Sequence, residues 1–253
     1  MKKTIIKTNK LCKSYILGKQ GINVLKNVDL ELYEGDFTVI MGRSGSGKST
    51  LLYSLSTMDQ PTSGSVTLLD KEITALSEKD ITNIRKKEIS FIFQSINLLP
   101  DLTAFENIAY SGYGCGRGSK QEINLRTEKL LDRFDLTELK DKYPSEISGG
   151  QQQRIAVARA LITEAKILFG DEPTGALNSS AGKQVLDTLT EINRNGQTIL
   201  MVTHDLKAAR RASRLMYLTD GRIDGDLYLG GYDENDKEGR DELIFNFLKE
   251  RGW

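Results

Sequence analysis

Cysteine and histidine are scarce in this 253-residue sequence, and it has neither a net charge nor a long apolar run. The two cysteines, Cys12 and Cys115, fit no metal-ligand spacing, and we expect them to be thiols in a reducing cytoplasm. Lysine plus arginine and aspartate plus glutamate both number 35, which argues against a general nucleic-acid scaffold with its basic field. No apolar segment approaches the roughly 20 residues of a membrane helix, and residues 1–7 lack the apolar region of a secretory signal. We therefore expect a chain that does not cross a bilayer by itself.

The most informative stretch is rich in glycine and follows an apolar run at 37–41. It comprises Gly42, Arg43, Ser44, Gly45, Ser46, Gly47, Lys48, Ser49 and Thr50. Its glycines let the backbone N–H groups point at an anion, and the helix that follows adds the positive end of its dipole. In such a phosphate-binding loop Lys48 would reach the terminal phosphates of a nucleotide, and the Ser49 hydroxyl would ligate Mg²⁺. The alternative is an ordinary turn, but average composition gives the four fixed positions by chance in only about 1% of chains of this length.

Two further apolar runs end in polar residues that suit nucleotide hydrolysis. Residues 167–170 lead into Asp171 and Glu172, and residues 199–203 lead into His204. Asp171 would hold Mg²⁺ through its water shell, and Glu172 would deprotonate the water that attacks the γ-phosphate. His204 is placed to contact that phosphate, because ligands collect beyond the carboxyl ends of parallel strands. Adjacent acids and a loop histidine are common in themselves, so their interpretation depends on the phosphate-binding loop, which alone would also suit a kinase or a GTPase.

A second predicted anion site lies far along the chain from the first. Ser148 and Gln151 form a helix capping box, which is a sufficient local reason for both residues. Capping does not require Gly149 and Gly150, which leave the first turn bare and open to an anion. Two such sites suggest a nucleotide held between two surfaces. Tyr15 is a single tyrosine among polar neighbours, and its own context is only a weak indication of ligand contact.

The pattern of apolar residues predicts an α/β fold. The short apolar runs at 167–170 and 199–203, bounded by helical patterns, are typical of buried parallel strands. Between them a helix at 179–194 is predicted to end at Asn195-Gly196. Residues 4–35 are predicted to form strands and turns, including one half-buried strand at 28–32 in which apolar residues alternate.

The remaining segments are predicted to be mainly helical. Residues 98–162 have a helical pattern that is interrupted by the glycine-rich segment 112–118 and by Pro144, and we interpret them as a helical insertion. The final segment is predicted to contain turns at 224–226 and 230–231, followed by a closing helix. One face of that helix is predicted to carry Leu243, Ile244, Phe247 and Leu248.

Taken in order, these motifs resemble those of the nucleotide-binding subunits of ABC transporters. The correspondences are the Walker A motif at 42–50, the Q-loop at Gln94, the signature motif at 148–152, the Walker B motif with its catalytic acid at Asp171 and Glu172, and the switch histidine at His204. Tyr15 falls where this family stacks an aromatic ring on adenine. The resemblance extends from about residue 4 to residue 223.

The resemblance implies an α/β fold with a P-loop NTPase core and a mostly parallel central sheet. It also implies an N-terminal antiparallel β subdomain and an inserted α-helical subdomain. The expected ATPase domain covers residues 1–223, with a RecA-like core, the β subdomain and a helical insertion at about 95–165. Residues 224–253 are expected to form a C-terminal extension that ends in an amphipathic helix.

The implied activity is hydrolysis of ATP to ADP and phosphate with Mg²⁺. The catalytic residues would be Glu172, His204 and Gln94, the metal ligands would be Ser49, Gln94 and Asp171, and ATP would further contact Tyr15, the loop 42–50, Ser148, Gly149, Gly150, Gln151 and Asn178. Two copies would form a head-to-tail dimer in which the signature helix of one copy closes over ATP on the loop of the other. Closure would drive a separate membrane-spanning permease, contacted mainly near the helical insertion, at the cytoplasmic face of the membrane and without nucleic acid.

Within the family, segments 93–103 and 171–177 resemble the branch that covers lipoprotein release, macrolide export and bacitracin-type peptide resistance. The acidic, glycine-containing tail is similar to that of the peptide-resistance members, so antimicrobial-peptide resistance or export is the expected role. Two positions depart from the family pattern: Asn178 stands where the D-loop usually has aspartate, and Ile147 stands where leucine usually precedes the signature serine. Asn178 keeps an acceptor but lacks the charge, so coupling between the two ATP sites is expected to differ.

The main alternative is a soluble ABC ATPase that acts on nucleic acid or ribosomes. Such proteins need coiled-coil arms, zinc-binding cysteines or two ATPase halves in one chain. This sequence has one phosphate loop, two scattered cysteines and no heptad run of three or more. A non-hydrolysing regulatory subunit is disfavoured because Glu172, Gln94 and His204 are all present.

Overall fold

A computed structural model describes residues 2–18, 20–175 and 177–253. The chain divides into two compact units, the first made of Met1–Thr82 with Thr190–Trp253 and the second of Asn83–Leu189. The strands are β1 Thr4–Leu17, β2 Gln20–Val28, β3 Glu31–Tyr33, β4 Phe37–Met41, β5 Ser63–Leu68, β6 Lys71–Glu72, β7 Ile89–Ile92, β8 Ile167–Asp171, β9 Thr198–Val202, β10 Arg214–Thr219 and β11 Arg222–Tyr228. The α-helices are α1 Lys48–Leu55, α2 Glu78–Lys87, α3 Ala104–Cys115, α4 Lys120–Arg133, α5 Gly149–Leu161, α6 Ser179–Arg194, α7 Leu206–Arg211 and α8 Lys237–Lys249. Over the described ranges, no helix combines the length and the apolar character that a membrane crossing needs.

The first unit contains the antiparallel sheet that the sequence predicts near the N-terminus. Its strand order is β2-β1-β5-β6, β3 also pairs with β1, and every pairing is antiparallel. The long strand β1 pairs with β2, β3 and β5, and its register with β2 and with β5 shifts along the strand. At Lys10 its backbone is left-handed, with φ 46°. There the Asp29 side chain accepts the Lys10 amide at 2.6 Å in place of a ladder bond.

The prediction of one continuous strand at 28–32 is wrong. The strand β2 ends at Val28, and β3 begins at Glu31. Between them the chain bonds to a side chain instead of a ladder, since the Thr8 hydroxyl donates to the Val28 carbonyl at 2.8 Å and accepts the Leu30 amide at 2.9 Å. The alternation of buried residues nevertheless continues through the break, and it was this alternation that suggested a single strand.

The first unit also contains parallel strands that deliver two predicted site segments. The strand β4 lies between β10 and β9 and is parallel to both, while β11 is antiparallel to β10. All five residues of β4 and all five of β9 are buried, which explains why the sequence shows continuous apolar runs there. The phosphate-binding loop follows β4, and His204 follows β9.

The second unit pairs β7 and β8 in parallel and inserts helices between them in the chain. The predicted interruption at 112–118 is partly wrong, because α3 continues through Gly112 to Cys115 and ends at Gly116 in the left-handed conformation. A β-carbon at Gly112 would lie 2.7 Å from a methyl group of Ile123 and 3.0 Å from Ile162. Glycine is therefore needed here for close helix packing, whereas a turn begins only at Gly116.

Two further predictions concern helix ends and the C-terminal segment. The helix predicted at 179–194 is confirmed as α6, and Gly196 follows it with φ 97°. The predicted turn at 224–226 is wrong, since these residues lie in β11. A β-carbon at Gly225 would lie 2.1 Å from the Arg251 side chain and 2.8 Å from the Phe247 ring, so this glycine permits close packing of the C-terminal residues.

The closing helix forms as α8, but its buried face differs from the prediction. Ile244, Phe247 and Leu248 are buried, whereas Leu243 is 53% exposed. The fourth buried residue is Arg240, only 2% exposed, which a search for apolar residues could not select. Positions 240, 244, 247 and 248 share the spacing of one helical face.

Arg240 anchors α8 through backbone carbonyl groups. Its guanidinium donates to the carbonyl oxygens of Arg210, Ala212, Leu229, Gly230 and Gly231. The next residue, Asp241, accepts two hydrogen bonds from Arg210 of α7, at 2.5 and 2.6 Å. Because buried carbonyl groups need donors, one side chain fixes the end of α7, the loop after β11 and α8 together.

Replacing Arg240 by methionine, which keeps the length of the side chain, is predicted to loosen α8. Several buried carbonyl groups would lose their donor, which costs about 3 kcal/mol of local stability and speeds amide exchange in α8 roughly a hundredfold. Hydrogen exchange of residues 237–249, followed by mass spectrometry, measures this. The matched control is Arg194→Met, which removes an exposed guanidinium that contacts the single carbonyl of Tyr232; equal exchange rates in the two variants would contradict the prediction.

Candidate nucleotide-binding site

The phosphate-binding loop begins where β4 ends, and its first residue has no room for a side chain. A β-carbon at Gly42 would lie 2.2 Å from the Leu218 carbonyl oxygen and 2.7 Å from the Ser46 hydroxyl. Gly45 and Gly47 have φ angles of 77° and 103°, in the left-handed region that favours glycine. The local sequence therefore explains the tight curl of the loop at three separate positions.

The side chains of the loop leave polar atoms suited to an anion. Lys48 is buried at the start of α1, and its Nζ donates to the carbonyl oxygens of Gly42 and Arg43 at 2.8 and 2.9 Å. The Ser46 hydroxyl is buried and has no hydrogen-bond partner among the residues that the structure describes. The first turn of α1 carries no acidic residue, so no carboxylate there opposes the positive end of the helix dipole. This arrangement can accept phosphate oxygens.

Tyr15 lies near the last residue of the loop. It is 38% exposed on β1, and its hydroxyl donates to Asp59 Oδ2 at 2.7 Å. The side chain of Thr50, the last residue of the loop, also interacts with the Tyr15 hydroxyl and acts to lower the pKa of that phenol. Burial, together with the bond to Asp59, raises the pKa of the Tyr15 phenol. The polar end of the Tyr15 side chain is therefore held by Asp59 and lies close to the last residue of the phosphate loop.

His204 follows the strand next to β4. Residues Val39 and Ile40 pair with Met201 and Val202 in parallel register, so the loop and His204 leave the same sheet edge. His204 is exposed. Asp205 fixes the residues around His204. Its side chain caps α7 by accepting the Lys207 amide at 2.8 Å, and its own amide donates to the Thr203 hydroxyl at 3.0 Å.

The second unit brings two of the predicted catalytic residues together. Asp171 ends β8 and is 1% exposed. Glu172 follows with φ 43°, a left-handed conformation that is unusual for a residue other than glycine. Its carboxylate accepts a hydrogen bond from Gln94 Nε2 at 3.3 Å. Gln94 lies two residues beyond β7, the parallel neighbour of β8, so strand pairing places these two side chains near each other.

The segment at 148–151 is a capped helix start with an open face. Ser148 and Gln151 form the predicted capping box at the start of α5. Apart from its chain neighbours and the backbone of its own helix, no described atom lies within 4 Å of a β-carbon added at Gly149, and its φ angle is not positive. Further along α5, the buried Gln153 donates to the Pro173 carbonyl at 3.0 Å, which connects this helix to the residues after Glu172.

The two departures from the family pattern have simple local accounts. Asn178 Oδ1 accepts the Ala181 amide at 2.9 Å and so caps the start of α6, which aspartate would do equally well. Ile147 is buried, at 9% exposure, and supplies an apolar side chain of the same size as leucine. Ala176, within the segment 171–177 that carries the branch resemblance, lies outside the described residues.

Sequence reasoning missed Asp59 and Lys13, which hold Tyr15. Lys13 Nζ donates to Asp59 Oδ1 at 2.5 Å and lies 5.0 Å from the centre of the Tyr15 ring. Asp59 is 44 residues from Tyr15 and stands in a turn-forming cluster, so no local pattern marks it. The only sequence pattern that indicates this cluster is the spacing of Lys13 and Tyr15, which lie at alternate positions and so on the same face of a strand.

The residues present fit a magnesium ion that arrives with a nucleotide. No group of three or more His, Cys, Asp or Glu side chains that could hold a metal occurs in the described parts of the chain. Mg²⁺ usually takes one or two carboxylates together with phosphate oxygens and water, and rarely a cage made only of protein. A single buried carboxylate such as Asp171 fits that pattern.

Comparison with known proteins agrees with these motifs. A sequence model of the family described as ABC transporter matches residues 25–175. The uncharacterized ABC transporter ATP-binding protein MJ0796 of Methanocaldococcus jannaschii is 40% identical over 235 residues, which are 91% of this chain and 100% of that protein. The lipoprotein-releasing system ATP-binding protein LolD 1 of Chlorobium chlorochromatii is 45% identical over 234 residues, which are 90% of this chain and 94% of LolD 1. The macrolide export ATP-binding/permease protein MacB of Wolinella succinogenes is 40% identical over 88% of this chain, but the match covers only 34% of MacB.

Solved structures of the first relative confirm the predicted fold class. The dimeric structure of MJ0796 in a post-hydrolysis state, bound to ADP and Pi, matches with a TM-score of 0.85 and 39% identity, over 90% of this chain and 100% of that one. A second dimeric structure of the MJ0796 cassette gives the same TM-score. This chain therefore belongs to the ABC transporter family, as an ATP-binding subunit that hydrolyses ATP, and its relatives fit the lipoprotein-release and macrolide-export branch.

Proposed function

We propose that two copies of this chain bind ATP head to tail, with each nucleotide held between the loop 42–50 of one copy and residues 148–151 of the other. The observation that carries this proposal is Gly149. Neither backbone conformation nor packing against described residues requires glycine there, since its φ is not positive and a β-carbon would meet no atom within 4 Å. The helix start lacks a side chain at this position, and no contact within the chain explains that lack. Such a helix start can accept an anion from outside the chain. The dimeric assemblies of MJ0796 give further support.

Within this composite site, the loop 42–50 would hold the phosphates. Lys48 would exchange its two carbonyl partners for phosphate oxygens, and the buried Ser46 hydroxyl would gain a partner. Tyr15 would stack on adenine. From the opposing copy, Ser148, Gly149, Gly150 and Gln151 would approach the γ-phosphate, and Asn178 would lie nearby.

Hydrolysis would depend on Glu172 as general base. Its carboxylate is oriented by Gln94 Nε2, and its backbone is left-handed with φ 43°. His204 would contact the γ-phosphate. Ser49, Gln94 and Asp171 would hold Mg²⁺, which when bound neutralises charge that develops on the phosphate oxygens.

Changing Glu172 to Gln is predicted to cut turnover by orders of magnitude and keep ATP binding. General-base assistance is worth about 10² to 10⁴ in rate, while the amide can still accept the hydrogen bond from Gln94. Phosphate release measures the rate, and size-exclusion chromatography with ATP is expected to show a stable dimer. Substantial residual hydrolysis would mean that Glu172 is not the base, and a strict monomer would contradict the composite site.

Changing Gly149 to Ala in the Glu172→Gln background is predicted to prevent the ATP-dependent dimer. The chain has room for the added methyl group, so thermal stability and ATP binding by the monomer should be unchanged. The loss of dimer would then come from a clash outside the chain. The matched control is Gly114→Ala, because Gly114 is another helical glycine of the same unit with open space around it. An intact dimer in Gly149→Ala would rule out contact between Gly149 and the partner's nucleotide.

We further propose that closure of the dimer drives a separate membrane-spanning permease from the cytoplasmic face of the membrane, and that the transporter confers resistance to antimicrobial peptides. The ATPase domain would comprise residues 1–223, with the helical insertion at about 95–165 facing the permease. Residues 224–253 would form an extension that starts within β11. Support comes from the segment 93–103, the acidic tail, and a relative, MacB, whose name joins ATP-binding and permease parts.

Co-purification with the native permease is predicted to yield an ATPase that a bacitracin-type peptide stimulates. The measurement is the ATPase rate of the reconstituted complex in the presence of a peptide antibiotic, a macrolide or a lipoprotein. Stimulation by the peptide alone is expected. Stimulation only by a macrolide or a lipoprotein would leave the transporter function in place and replace the peptide-resistance role.

A further inference from the structure

A small polar cluster surrounds the hydroxyl end of Tyr15. It consists of Lys13, Tyr15 and Asp59, and we call it the Asp59 cluster. The two oxygens of the Asp59 carboxylate have different donors: Lys13 Nζ binds Oδ1 at 2.5 Å, and the Tyr15 hydroxyl binds Oδ2 at 2.7 Å. Lys13 also donates to the Gln60 carbonyl at 2.6 Å. The side chains of Lys13 and Asp59 are only 11% and 31% exposed, so water competes weakly for these bonds.

The protonation states of the cluster fix the direction of each hydrogen bond. Burial acts to raise the pKa of Asp59, but the hydrogen bonds from Lys13 and Tyr15 outweigh it and lower that pKa. Burial raises the pKa of Tyr15. At neutral pH Asp59 is therefore a charged acceptor and Tyr15 a neutral donor, which is the stronger type of hydrogen bond.

The cluster is connected to the phosphate-binding loop through α1. The Thr50 side chain, at the end of the loop, also interacts with the Tyr15 hydroxyl and acts to lower its pKa. Asp59 lies just beyond α1, the helix that begins with Lys48, and its amide bonds to the Tyr53 carbonyl at 3.2 Å. The turn that leads to Asp59 passes through Thr57, which is left-handed with φ 65°. The position of Asp59 is therefore set by the same helix that carries the loop.

We propose that Asp59, held by Lys13, is a positioning residue for the nucleotide base. It fixes the Tyr15 ring at a set distance from the phosphate loop, so that the stacking surface exists before ATP binds. This inference rests on the proposed stacking of Tyr15 on adenine. Its physical basis is preorganisation, since a side chain that is already immobile loses no rotamer freedom on binding.

A residue that positions Tyr15 and a residue that only supports the fold differ in their effect on ligand binding. Loss of the Asp59 contact should weaken a ligand that contains a base, and it should leave a bare triphosphate unaffected. The probes are the non-hydrolysable ATP analogue AMP-PNP and inorganic tripolyphosphate, each with Mg²⁺, titrated by calorimetry into the full chain. The quantity that matters is the ratio of the two dissociation constants.

Two variants act on the same hydrogen bond from opposite ends. Asp59→Asn weakens it, because the charge is lost and one acceptor oxygen must serve both Lys13 and Tyr15. Tyr15→Phe removes the hydroxyl while keeping the ring and the pair of Asp59 with Lys13. Both are expected to weaken AMP-PNP binding roughly three- to tenfold, the usual effect of one side chain that must be ordered on binding, with tripolyphosphate binding unchanged. Tyr15→Leu removes the ring and should weaken AMP-PNP binding further.

The chain contains a matched control with the same chemistry. Glu31 accepts from Lys7 Nζ at 2.6 Å and from the Tyr33 hydroxyl at 3.3 Å, so it is a second lysine–acid–tyrosine cluster in the same unit. Glu31→Gln is expected to change the affinity of neither ligand. If Asp59→Asn and Tyr15→Phe bind AMP-PNP normally while Tyr15→Leu binds it weakly, the positioning role is wrong and the stacking role stands. If Tyr15→Leu also binds normally, the stacking role fails and the inference fails with it. Equal loss of both ligands would identify Asp59 as a structural support of the loop and would also overturn the inference.

Discussion

The close approach of Gly42 to β10 is the constraint on which the phosphate-binding loop depends. The chain leaves β4 so near the Leu218 carbonyl that a β-carbon would overlap it at 2.2 Å. Because β4 lies between β10 and β9, this exit point places the loop at the sheet edge from which His204 also emerges. Lys48 then closes the curl by bonding back to the Gly42 carbonyl. The loop is thus shaped by the parallel strands before any ligand is present.

The strand β2 connects the antiparallel sheet to the same loop. The Val24 carbonyl lies 2.1 Å from a β-carbon built at Gly221 and 3.1 Å from one built at Gly47. The Gly221 amide donates to the Ser46 carbonyl at 3.2 Å, and the Gly221 carbonyl accepts the Lys26 amide at 2.9 Å. Gly47 and Gly221, which are far apart in the chain, therefore both pack against β2. Because β1 pairs with β2, this packing places Tyr15 of β1 near the loop.

The sequence predicts those features that depend on near neighbours in the chain. The capping box at Ser148, the helix end at Gly196 and the strands that lead to the loop are all encoded within a few residues, and all are found. The errors concern long-range contacts. Gly112 was predicted to interrupt a helix and Gly225 to lie in a turn, because glycine favours turns, but each makes room for a side chain from another element. Asp59 was missed because its contact with Tyr15 joins residues that are 44 positions apart in the chain.

A glycine can thus be needed for its φ angle, as at Gly47, or for space within the chain, as at Gly42, Gly112 and Gly225. Gly149 meets neither condition. At the first turn of α5 a residue with a side chain would be tolerated, since neither the backbone nor the packing excludes one. At a helix start, where backbone N–H groups can bind an anion, a glycine without such an explanation inside its own chain suits a contact outside it. A solved structure of the relative MJ0796 is a dimer bound to ADP and Pi, and the second copy of the chain proposed above would supply such a contact at Gly149.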